Sequence, residues 1–197
     1  MKKAVFLDRD GTINKEKNYL YKKEDFSFLP GVIEGLKILQ NAGYMLVIIT
    51  NQSGIGRGYY TENEFNILCE WMQSELKKEG IVISGIYYCP HLPDAPIEKY
   101  RVACSCRKPK TGMFELAAKE LNIDMSASWT VGDRLRDCIV AQSLNCKGIL
   151  VENSEDKKTI QDIRDKKYRA VTYAENLLEA SKLIAAYDSL GKNGGKR

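Results

Sequence analysis

Ala4-Val5-Phe6-Leu7-Asp8-Arg9-Asp10-Gly11-Thr12 joins an unbroken apolar run to two carboxylates with no spacer between them. A run this short, apolar at every position, fits a strand buried on both faces. Residues i and i+2 of an extended chain point the same way, so Asp8 and Asp10 project into one site beyond the strand tip. Gly11 lets the chain turn sharply behind them. Such a pair suits phosphoryl transfer through an aspartyl intermediate, although taken alone it also fits a solvated turn.

Working outward, apolar runs recur between helical patterns. Strands are expected at Lys3–Asp8, Tyr44–Thr50, Val82–Tyr88, Trp129–Gly132 and Gly148–Val151, with a sixth at Arg169–Thr172. Helices are expected at Val32–Asn41, Glu62–Lys78, Gly112–Leu121, Leu135–Leu144, Lys157–Asp165 and Ala174–Tyr187. The second of these opens with Thr61 and Glu64, spaced as a capping box. This alternation predicts an α/β fold: a three-layer, Rossmann-like parallel sheet with helices on both faces. Such sheets bind ligands beyond the carboxyl ends of their strands. Two stretches break the pattern, Thr12–Leu29 and Cys89–Lys110, and irregular loops of that length are usually functional. Nothing marks a large cap domain.

The chain has 197 residues, 44% hydrophobic and 28% charged, with a net charge of +4. That composition belongs to a globular protein, and 197 residues suit one domain. The domain is expected over 1–190, with 191–197 a flexible basic tail. The longest apolar run, Met45–Ile49, is far short of the roughly 20 residues that span a bilayer. Met1-Lys2-Lys3 leads into a strand and not into a signal-peptide core, so a cytoplasmic protein without a membrane partner is expected. The sequence is read as a monomer.

Six cysteines and one histidine are present. Cys69, Cys138 and Cys146 fall in or beside helical patterns and read as small buried hydrophobes. Cys89, His91, Cys104 and Cys106 flank a twelve-residue loop. A Cys₃His set is a closed tetrahedral Zn²⁺ site with no position left for substrate, hence a structural one. The alternative is three buried thiols and a surface histidine. As a Zn²⁺ site it would pin Leu92–Ala103 and hold Arg107 and Lys108 in place. With His91 so engaged, acid–base chemistry falls to carboxylates.

Four strand-end segments occur in order: Asp8-x-Asp10, Thr50-Asn51-Gln52-Ser53, Arg107-Lys108-Pro109 and Gly132-Asp133-Arg134, with Asp137 four residues after Asp133. Together they resemble the motifs of the haloacid dehalogenase superfamily of Mg²⁺-dependent aspartyl phosphatases. Cys-Pro-His and Cys-x-Cys-Arg-Lys-Pro narrow the resemblance to its heptose bisphosphate phosphatases and their histidinol-phosphatase relatives. The resemblance implies removal of the 7-phosphate from a heptose 1,7-bisphosphate, a step toward nucleotide-activated heptose. It implies Asp8 as nucleophile, Asp10 as general acid and then base, and Thr50 and Lys108 as stabilisers of the transferring phosphoryl group. Mg²⁺ would be held by Asp8, Asp133 and the backbone carbonyl of Asp10. Asp137 would stand behind the metal ligands or serve only the helix surface. Carried over by position, Glu16, Lys17, Asn18, Tyr19, Thr50, Asn51, Gln52 and Ser53 would contact substrate. Arg57, Arg107, Lys108 and Arg134 would answer its phosphates.

Arg134, Leu92 and Thr111 depart from the usual Lys, His and Pro of the pattern. The arginines favour a sugar bisphosphate over histidinol phosphate. A Zn²⁺-stabilised nucleic-acid-binding module is the non-enzymatic alternative. Against it, the basic residues are scattered, and four aspartates at the strand ends would repel a phosphate backbone.

Overall fold

The computed structural model describes residues 1–151 and 157–193, with side chains through 188. Six parallel strands form one sheet in the order β3-β2-β1-β4-β5-β6: β1 Ala4–Leu7, β2 Met45–Asn51, β3 Ile83–Cys89, β4 Trp129–Gly132, β5 Lys147–Val151 and β6 Val171–Ala174. Leu7 is in register with Ile48 on one side and Val131 on the other. β1 is therefore central, and the chain reverses its direction of travel between β1 and β4. That switch point leaves a crevice beyond the strand ends.

Alternation along the strands sorts the core into two layers. Val5 and Leu7 of β1, with Leu46 and Ile48 of β2, join one buried cluster. Ala4 and Phe6, with Val47 and Ile49, join the other. The first is covered by α1 (Val32–Asn41), α3 (Glu62–Lys78) and α8 (Leu177–Asn193), through Leu36, Leu39, Met72, Leu76 and Ile184. The second is covered chiefly by α4 (Gly112–Leu121), where Phe114 meets Phe6 edge to face at 5.4 Å. Each such aromatic or aliphatic side chain contributes roughly 1.5–3 kcal/mol when fully buried. The three-layer α/β architecture expected from the sequence is the one observed.

α1, α3 and α4 have the expected boundaries. Thr61 caps α3: its hydroxyl accepts from the Glu64 N–H at 3.1 Å, and Glu64 accepts from the Thr61 N–H at 2.7 Å. The helix expected at Leu135–Leu144 is instead two pieces, α5 (Leu135–Cys138) and α6 (Ala141–Leu144). Between them the bonding tightens to an i→i+3 pattern, Gln142 to Ile139 and Ser143 to Val140. β6 extends to Ala174, so α8 begins three residues later than its apolar pattern suggested, at Leu177, and runs on to Asn193. α7 is Lys157–Arg164, close to expectation. One helix had no sequence signal, α2 (Ser53–Arg57), whose glycines weaken helix propensity. The expected tail overlaps the end of α8 at 191–193, and 194–197 lie outside the described residues. No helix among the described residues is long and apolar enough to cross a membrane.

Candidate active site

Asp8 and Asp133 stand just past the ends of β1 and β4, the two strands that flank the switch point. The Asp8 N–H donates to Val131 O at 2.9 Å, which fixes the register at the strand tip. Gly11 has φ +84°, and a Cβ there would lie 2.3 Å from Asp133 Oδ2. Only glycine lets the turn after β1 pass this close to the second carboxylate. Asp137, in the first turn of α5, accepts from the Arg134 N–H at 3.0 Å. Carboxylate oxygens of Asp8, Asp133 and Asp137 all lie within 4.8 Å of one another, and all three residues are buried.

One ammonium serves two of these acids. Lys108 Nζ lies 2.8 Å from Asp8 Oδ1 and 2.7 Å from Asp137 Oδ1, and donates to Ile49 O at 2.7 Å. Lys108 is itself buried, and Asp137 and Asp8 hold it charged against desolvation. Its backbone is clamped by Asn51, which accepts from the Lys108 N–H at 3.1 Å and donates to its carbonyl at 3.2 Å. Burial pushes the Asp8 carboxyl up to about 7, with Lys108 opposing and Asp137 and Asp133 adding to the rise. These three buried carboxylates share one buried ammonium, and the arginines beside them, Arg134 Nε at 3.7 Å from Asp133 and Arg136 Nε at 3.9 Å from Asp137, are longer pairs from partly exposed side chains. An all-oxygen donor set of this kind fits a hard divalent cation such as Mg²⁺.

Asp10 faces a different set of partners. Its Oδ1 accepts from Arg9 Nε at 3.1 Å and Asn14 Nδ2 at 3.0 Å. Its Oδ2 accepts from Arg9 Nη2 at 2.8 Å and Gln52 Nε2 at 2.9 Å. Arg9 is 1% exposed and also donates to Leu20 O. The same Gln52 nitrogen donates to Thr50 Oγ1 at 2.8 Å, and Tyr60 donates its hydroxyl to Gln52 Oε1 at 2.5 Å. Burial holds the Tyr60 phenol well above its ordinary value, so it remains a donor.

These groups open on a cleft of about 260 Å3. Asp8, Asp10, Thr50, Lys108 and Asp133 form its floor, and Glu16, Asn18, Tyr19, Asn51, Gln52, Ser53 and Arg134 line it as well. Burial, with Asp10 and Asp133 nearby, raises the Glu16 carboxyl. Three residues expected to contact substrate do not line the cleft. Lys17 pairs with Asp25 at the surface, at 3.1 Å. Arg57 ends α2 with its Nε buried and unbonded. Arg107 donates to His91 O at 3.3 Å. Leu20, Gly54, Tyr60 and Arg136 line the cleft without having been singled out from the sequence. Arg136 had a findable signal: it lies two residues past Arg134, in the first turn of a helix already aimed at the site.

The Cys/His cluster lies just beyond β3. Cys89 Sγ is 3.5 Å from Cys104 Sγ and 3.1 Å from Cys106 Sγ, and His91 Nδ1 is 3.4 Å from Cys106 Sγ. All four donor atoms lie within 4.8 Å of one another. The edge of a Zn²⁺–thiolate tetrahedron is roughly 3.8 Å for a bond of about 2.3 Å. Burial and the Cys106 thiol push Cys89 up. At Cys104 burial also pushes up, but bonds from Cys106, the Arg107 backbone and Cys89 prevail and bring it down to about 6. Thiols that share protons in this way release them when a cation binds.

Comparison with known proteins follows the same lines. The model of the "HAD-hyrolase-like" family matches residues 105–180. A D-glycero-beta-D-manno-heptose-1,7-bisphosphate 7-phosphatase of Pasteurella multocida is 44% identical over 190 residues, 96% of this chain and 100% of that one. The chain belongs to the heptose bisphosphate phosphatase family of haloacid dehalogenase-like hydrolases. A family member of the same name from Haemophilus ducreyi is 52% identical over 147 residues, 74% of this chain and 80% of that one. The solved D,D-heptose 1,7-bisphosphate phosphatase of B. bronchiseptica, complexed with magnesium and phosphate, superposes with a TM-score of 0.79. It is 29% identical and covers 94% of this chain and 99% of that one. Asp8, beside Lys108 and two carboxylates, and Asp10, held by Arg9, Asn14 and Gln52, stand in different environments in one cleft.

Proposed function

We propose that the chain removes the 7-phosphate from D-glycero-β-D-manno-heptose 1,7-bisphosphate by way of a phosphorylated Asp8. The observation that carries the proposal is the full-length relative of that name, 44% identical, joined to a cleft floored by two differently held aspartates. Mg²⁺ bound by Asp8, Asp133 and the Asp10 carbonyl would offset the charge between a phosphate dianion and the attacking carboxylate. Lys108 neutralises charge on the phosphoryl oxygens, and Thr50 offers them its hydroxyl. Asp8 forms a bond to phosphorus as the bond from phosphorus to the sugar oxygen breaks. Asp10, as general acid, gives a proton to that oxygen. Asp10, now a carboxylate, takes a proton from water as the water oxygen displaces Asp8 from phosphorus. Arg134 and Arg136, at the mouth, suit the phosphate that stays on the sugar.

Zn²⁺ is the ion that the Cys89, His91, Cys104 and Cys106 set suits, in a structural role. It would hold the loop from Leu92 to Ala103 closed, and with it the approach to Lys108.

Phosphate release with Mg²⁺ from both heptose bisphosphate anomers and from histidinol phosphate tests the assignment. A preference for the β anomer is expected, with 31P NMR showing loss of the C7 phosphate and retention of the C1 phosphate. A preference for histidinol phosphate, or loss of the C1 phosphate first, would overturn it.

A further inference from the structure

The Asp10 carboxylate, in the turn after β1, and the Thr50 hydroxyl, near the end of β2, both line the cleft, and one side-chain nitrogen joins them. Gln52 Nε2 donates to Asp10 Oδ2 at 2.9 Å and to Thr50 Oγ1 at 2.8 Å. A primary amide has two N–H groups, so both bonds are met at once. The bond to Thr50 takes up a lone pair of the hydroxyl and leaves its single proton free to donate into the cleft. Were the amide turned over, its oxygen would face the Asp10 carboxylate and would draw the Thr50 proton away from the cleft.

The amide's orientation is set at its other end. Tyr60 donates to Gln52 Oε1 at 2.5 Å, and Gln52 and Tyr60 are 2% and 4% exposed, so little of either side chain meets the water of the cleft. Tyr60 is itself fixed by packing. Its ring stacks on Tyr21 at 5.3 Å with 12° between planes. A Cβ on Gly54 would come within 2.2 Å of Tyr60 Cε1, so the ring has its place only because residue 54 carries no side chain. We infer that Tyr60, acting through Gln52, is a positioning residue that aims the general acid Asp10 and the Thr50 hydroxyl at the same phosphoryl group. The inference rests on the phosphatase assignment and deepens it. Tyr60 touches no reacting atom.

The role makes a distinction that a merely structural role would not. When phosphorus transfers to Asp8 from an alkyl phosphate, the departing alkoxide needs the Asp10 proton. The phenolate leaving from p-nitrophenyl phosphate does not. Because kcat/KM covers the steps up to the first departure, the two substrates separate acid positioning from general damage. Tyr60→Phe removes only the hydroxyl. It is expected to lower kcat/KM for heptose bisphosphate by about tenfold, part of the ~10²–10⁴-fold that a positioned acid supplies. The fall on p-nitrophenyl phosphate is expected to be at least about fivefold smaller. Gln52→Met should show the same bias more strongly, and the double variant should be no worse than Gln52→Met alone.

Equal falls on both substrates, no fall on either, or additive losses in the double variant would overturn the inference. Should Tyr60→Phe fail to fold, the bias of Gln52→Met decides. If the wild-type protein prefers histidinol phosphate, the heptose assignment fails but the comparison stands, since that ester also releases an alkoxide.

Discussion

Asp8 is buried beside a lysine and two further acids, and its carboxyl is raised to about 7 from an ordinary value of 3.8. Burial is the main cause, so the sign is that of a desolvated acid. Between about pH 4 and 7 the folded, metal-free protein holds a proton that the unfolded chain has lost. Its stability therefore falls as pH rises through that window. Mg²⁺ needs the ionised form, so its apparent affinity should drop by up to about tenfold per pH unit below 7. Isothermal titration with Mg²⁺ at several pH values checks this, and a flat profile would mean that Asp8 is not a ligand. Gly11 is the other residue whose identity is dictated locally. Gly11→Ala puts a methyl group against Asp133 at a backbone angle that L residues resist. Activity should fall by about 10²-fold or more while every carboxylate remains. Steady-state kinetics across a Mg²⁺ titration would show it, and near-normal turnover would refute the close approach.

At the scale of elements, the loop that follows β3 is tied down twice. The Cys/His cluster closes its base. Glu62, at the start of α3, grips its far side, accepting from Tyr88 at 2.7 Å, Lys99 at 2.9 Å and Tyr100 at 2.5 Å. Those three bonds hold the Glu62 carboxyl down at about 2. The loop also carries Lys108 to the sheet, where its ammonium donates to Ile49 O of β2. Cys104→Ser removes one thiolate, so bound metal should fall well below one ion per chain. The melting temperature should drop by several degrees, on the order of 2–4 °C per kcal/mol for a domain of this size. Elemental analysis with thermal denaturation reads both. Unchanged metal content would exclude these four residues as a ligand set.

At the scale of the whole molecule, much of the fold was legible in the sequence. Apolar runs too short for a buried helix read as strands, and the Thr61–Glu64 cap marks its helix by local chemistry. The strand-end aspartates, Thr50 and Lys108 were legible too, because parallel sheets deliver strand ends to one crevice. What was hidden depends on distance in space. α2 has two glycines and forms against the loop that follows β3, where a Cβ on Gly56 would lie 2.5 Å from Pro90 O. Arg107 was expected to meet a phosphate because the resemblance implied it, but adjacent residues on irregular chain diverge, and Arg107 bonds the loop while Lys108 enters the cleft. Tyr60 lies eight residues from Gln52, and no sequence period links the two.

Asp8 as the nucleophile implies a phosphorylated intermediate, which can be trapped. Protein mixed with Mg²⁺ and heptose bisphosphate, quenched in acid during turnover and digested, is examined by mass spectrometry. A phosphoryl group is expected on the peptide that holds Asp8, absent without Mg²⁺ and absent in Asp8→Asn, which keeps the wild-type fold. A phosphoryl group on another residue, or sustained turnover by Asp8→Asn, would contradict it.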